Sequence, residues 1–109
     1  FQVKPSSSSI ILVDDGTDSS SGDCTTYGSG TCNLRAAISY ANTLGSFPTI
    51  QMDSSLVHYI TESTSITVSD SMMVGSDSST LPAQIVSQGS NSGSLFSLNT
   101  GITMEISRL

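Results

Sequence analysis

A mainly β chain, folded as the start of a parallel solenoid with an N-terminal capping α-helix over its mouth, is the fold class this sequence predicts. Three observations point there. One amphipathic helix is written early, between Asn33 and Leu44. After Pro48 only brief apolar or alternating runs occur, separated by Ser, Asp, Gly and Asn turns. Corresponding runs begin roughly 23 and 30 residues apart, the spacing of a coil that buries its inward side chains against its neighbours.

Taken in order, Ser6 to Ser9 is a low-complexity stretch with nothing to bury, so residues 1–9 are expected to form a flexible Ser-rich arm or linker. Ile10-Ile11-Leu12-Val13 reads as a short buried strand, ended by the turn residues Asp14-Asp15-Gly16. Thr17 to Gly30 is loop. Cys24 and Cys32 are the only cysteines, and the seven residues between them can fold back to join them as a disulfide; two free thiols is the alternative. Closing that loop would contribute ~2–3 kcal/mol and requires an oxidising compartment.

Asn33 stands where an N-cap belongs, and Leu34, Ala37, Ile38, Ala41 and Leu44 recur at spacings of three and four, making one apolar face. Gly45 follows as a left-handed C-cap with Pro48 three residues beyond, which predicts a helix over 33–44. The predicted strands are Thr49–Met52, His58–Thr61, Ser65–Val68, Met72–Gly75, Gln84–Ser87, Ser94–Leu98 and Ile102–Ile106. Grouped in threes they give one coil from Thr49 to Val68, a second from Met72 to Leu98, and the start of a third. Residues 10–48 then form the cap and 49–109 the coils, the third incomplete. The competing architecture is a small β-sandwich or α+β domain, whose hairpins should show Asn-Gly or Asp-Gly turns; none occurs after Gly45.

Composition narrows the function. Charged residues are 11% of the chain, against ~25% in ordinary soluble domains, while Ser supplies 25 of the 109 residues and Thr 12. The surface is hydroxyl-rich rather than ionic. Three basic residues against nine acidic ones cannot neutralise a phosphate backbone or an anionic leaflet, so neither nucleic acid nor a membrane surface is an expected partner. No apolar run nears the ~20 residues of a membrane span, and Phe1-Gln2-Val3-Lys4-Pro5 lacks a signal peptide's apolar stretch, so the chain reads as a mature or trimmed form.

Cys32-Asn33-Leu34-Arg35-Ala36-Ala37-Ile38, followed by Ala41-Asn42, Gly45 and Pro48-Thr49-Ile50, resembles the Cys-Ser-Leu-Arg-Glu-Ala-Ile motif that opens many right-handed parallel β-helix proteins of microbial surfaces and secretions. Val13-Asp14-Asp15 and Gly22-Asp23-Cys24 suit that family's leader, in which a paired Cys often precedes the motif. Two positions depart: Ala36 stands where the family has Glu, removing a capping box, and Pro48 where it has Asp. The resemblance implies a structural role for Arg35, whose guanidinium can reach loop carbonyls or a nearby carboxylate such as Asp14 or Asp15.

No catalytic constellation is legible. Asp53, Glu62, Asp70, Asp77 and Glu105 lie mostly in turns, with only His58 and Arg108 as cations after the helix, so no carboxylate pair is placed for glycan cleavage. Asp14, Asp15 and Asp18 around Gly16 lack the rest of a calcium loop and read as turn formers; no metal or cofactor is expected. His58, between Val57 and Tyr59, reads as a surface or hydrogen-bonded side chain. The expected function is an extracellular or cell-surface structural or adhesive protein. Its expected partners are itself, a continuation of a longer β-helix, or a glycan or other surface. The runner-up is the N-terminal cap of a carbohydrate-active β-helix enzyme, a polysaccharide lyase or glycoside hydrolase, with catalytic coils beyond Leu109.

Overall fold

The structure, a computed structural model, describes residues 10–19, 21–45, 47–60, 66–78, 80–87, 96–102 and 104–107. The expected arm of residues 1–9, Glu62 and Arg108 lie outside the described residues. Eight short strands and one helix follow in the order β1 (Ile10–Val13), α1 (Leu34–Ala41), β2 (Thr49–Met52), β3 (Val57–Ile60), β4 (Ile66–Val68), β5 (Met72–Ser76), β6 (Gln84–Ser87), β7 (Phe96–Leu98) and β8 (Met104–Ser107). Alternation explains the strands. In β2 Ile50 and Met52 are buried, in β3 His58 and Ile60, and in β4 Ile66 and Val68, while the intervening residues face outward.

All the pairing is parallel, and it corrects the expected architecture. The described strands do not form one coiled sheet but three separate small ones: β1-β2-β5-β8, β3-β6 and β4-β7. No closed or solenoid sheet exists among the described residues, and the molecule is a small mixed fold of one helix with short parallel strands. Local turn chemistry is the physical reason the ladders stay short. Backbone groups at the corners are satisfied by their own side chains, as where Asp53 accepts the amide of Ser55 at 2.9 Å and Ser78 that of Thr80 at 3.1 Å.

Registers place like side chains in line. Ile11, Ile50 and Val74 lie side by side, as do Val13, Met52 and Ser76. All of these but Ser76 belong to one core that also takes Leu34, Ala37, Ile38 and Ala41 from the helix. The helix packs against β1, β2 and β4. It ends at Ala41 rather than Leu44, because the amides of Thr43 and Leu44 turn back to the carbonyls of Tyr40 and Ala41 (3.0 and 3.1 Å) in a tighter final turn. Gly45 then takes φ 68°, the left-handed conformation that reverses the chain.

Gly16 has a different task. The loop after β1 runs beside β3, where the Gly16 carbonyl accepts the amide of Tyr59 at 2.8 Å, and a Cβ at Gly16 would collide with the Val57 carbonyl oxygen.

Candidate interaction surface

The residues singled out in the sequence gather at the N-terminal clamp. Cys24 and Cys32 form a disulfide, and Cys32 is 1% exposed. Asn33, equally buried, accepts the amide of Ala36 on Oδ1 at 2.9 Å and donates from Nδ2 to the Ser21 carbonyl at 3.1 Å, so one side chain caps the helix and ties it to the preceding loop. Leu34, Ala37, Ile38 and Ala41 are buried and Leu44 packs half-buried at the core margin.

Arg35 corrects its expected partner. The ion pair forms with Asp18, Nε to Oδ1 at 2.7 Å and Nη2 to Oδ2 at 3.2 Å, in a fork geometry. Asp14 and Asp15 are otherwise engaged. Asp14 accepts the amides of Gly30 (2.8 Å) and Cys32 (3.1 Å), clasping the disulfide loop, while Asp15 accepts the amide and hydroxyl of Thr17. Spacing alone could not choose among three carboxylates within five residues. The pairing has an electrostatic logic: no acidic side chain occupies the helix's first turn, where Arg35 brings a cation toward the positive end of the dipole. Asp18, whose side chain is fully buried, supplies the missing negative charge from the loop.

Asn42, unassigned by the sequence, joins the helix's other end to the sheet. Its Nδ2 donates to the Thr67 carbonyl at 2.9 Å, and its Oδ1 accepts the amides of Ser69 (2.9 Å) and Asp70 (3.3 Å). Those partners lie 25 to 28 residues away, so no local pattern announces them.

His58 is 1% exposed, not at the surface. Its Nε2 lies 2.9 Å from the Asp53 carbonyl, an acceptor only, which fixes the proton on Nε2. Nδ1 is buried with no partner among the described residues. The Asp53 carboxylate is held below the usual range chiefly by the hydroxyl and amide of Ser55. Thr25 acts likewise on Asp23, just before the disulfide loop. Among the described residues no group of three or more His, Cys, Asp or Glu gathers to hold a metal.

A second feature lies on the outermost strands. Among the described residues β6, β7 and β8 each pair on one side only. Their inward positions continue the core rows but lose their cover: beside Val68, which is fully buried, Leu98 is 45% exposed, and beside Val74, at 1%, Ile106 is 51% exposed. Ile85, Phe96 and Met104 on the same strands are only partly buried against the core. Neither β6 nor β7 carries a charged residue or a proline, the usual devices that blunt a free strand edge. Apolar side chains are thus presented together with strand edges that have no partner among the described residues, the chemistry that accepts an added strand.

None of the described helices is long and apolar enough to cross a membrane. No family model matches the chain, and no curated protein or solved structure matches it either.

Proposed function

We infer that this chain is an extracellular or cell-surface structural or adhesive module, associating with further copies of itself by strand addition at β6, β7 and β8. One observation carries the reading: inward rows that are dry at Val68 and Val74 become half exposed at Leu98 and Ile106, one strand further on. Burying those side chains beneath a further layer recovers roughly 25 cal/mol per Å² of apolar surface, and an added strand supplies backbone partners along the edge. The Cys24–Cys32 disulfide supports an oxidising location, and a hydroxyl-rich, charge-poor surface suits a structural role.

Sedimentation and electron microscopy of the 109-residue chain test the association. Concentration-dependent oligomers or fibres are expected, and the double variant Leu98→Lys, Ile106→Lys should remain monomeric with unchanged circular dichroism. A wild-type chain that stays monomeric up to its solubility limit sinks the reading.

A further inference from the structure

An open cleft of about 250 Å³ lies beside the loop that follows the helix, lined by Gly45, Phe47, Asp70, Ser71 and Ile102. Phe47 is the one non-glycine residue with positive φ among the described residues, at 55°. A bulky aromatic rarely adopts that conformation, and strain of this kind persists where the surroundings fix it, often at ligand sites. Its effect here is to hold a large apolar ring at the protein surface, 42% exposed, rather than in the core. The other wall is equally fixed. Asn42 grips the amides of Ser69 and Asp70 from the end of the helix, so the turn carrying Asp70 and Ser71 is tied to a rigid element.

The lining has two characters: Phe47 and Ile102 are apolar, whereas Asp70 brings a carboxylate. A pyranose ring is divided in the same way, with a face of C–H groups and a rim of hydroxyls. We propose that this cleft binds one uncharged sugar ring, its C–H face stacked on Phe47 and two neighbouring hydroxyls donating to the Asp70 carboxylate. Its volume falls below the ~300–1,000 Å³ of clefts that enclose drug-sized ligands, which limits it to a single ring. An acidic sugar is repelled by Asp70. A quaternary ammonium is the other ligand an aromatic and a carboxylate can attract, but it is held in cages of several rings, and Phe47 is the only aromatic among the described residues lining the cleft. The site goes beyond strand-edge association and stands whether or not that occurs.

The test is amide NMR on the full chain, titrated separately with the methyl glycosides of glucose, mannose and galactose, and with tetramethylammonium. At least one glycoside is expected to shift the amides of Gly45, Phe47, Asp70, Ser71 and Ile102. Phe47→Ala and Asp70→Asn should each weaken that binding by about tenfold or more, while Phe47→Tyr, which keeps the ring, retains it. The proposal is overturned if no glycoside moves these amides, if the shifts survive undiminished in Phe47→Ala, if Phe47→Tyr folds yet fails to bind, or if only tetramethylammonium produces them.

Discussion

At the scale of single residues, stability concentrates in a few side chains that join distant segments. Asp18 and Arg35 form a buried pair, and removing one partner leaves an uncompensated charge. Asp18→Asn should therefore lower the unfolding free energy by about 3 kcal/mol, read from urea midpoints at constant slope. Arg35→Met with Asp18→Leu should cost much less, since both charges leave together. Asn42 is a neutral counterpart. Asn42→Ala forfeits contacts to Thr67, Ser69 and Asp70, and at about 1 kcal/mol per hydrogen bond the loss should be roughly 2–3 kcal/mol. Hydrogen exchange should then accelerate at Ser69 and Asp70 before it does in β1.

Among elements, the helix depends on covalent and polar restraints as much as on its own eight residues, too few to be stable alone. Breaking the disulfide by Cys24→Ser, Cys32→Ser should cost ~2–3 kcal/mol, visible as a lowered melting temperature, with the Asp14 contacts to Gly30 and Cys32 loosened with it. This is also the scale at which the sequence was most readable. Apolar and alternating runs placed β1, β2 and β6 with their observed bounds, because side chains that must point inward mark out each strand. β8 is the counterexample. Ile102 is the residue expected to open that strand, but its amide turns back to the Asn99 carbonyl at 3.2 Å, and the described strand runs from Met104. Arg35's choice of Asp18, the role of Asn42 and the outward turn of Phe47 escaped sequence reasoning because each is settled by segments remote in the chain.

For the whole molecule, pattern and assembly diverge. Short strands with polar corners suggested a continuous coil; the pairings instead divide them among three sheets, since periodicity reports which side chains point inward but not how strand ladders join. Global electrostatics follow from the same polar corners. Ser55 and Thr25 hold the carboxyls of Asp53 and Asp23 below the usual range, so the folded chain binds protons less readily there than the unfolded one. Stability from these groups is complete above the unfolded value and drains away as pH falls through the folded one. Urea midpoints should be level between about pH 5 and 8 and decline below about pH 4, less steeply in Asp53→Asn, which keeps an acceptor for Ser55 but cannot titrate. The decline should be modest, because both carboxylates are largely in contact with solvent.

Tyr27, 63% exposed, sits between the two bridged cysteines. A protease that cuts after aromatic residues can therefore sever the backbone there and release nothing. The clipped chain gains the mass of one water, keeps its parts tethered through sulfur, and separates into two peptides only when a reductant is added.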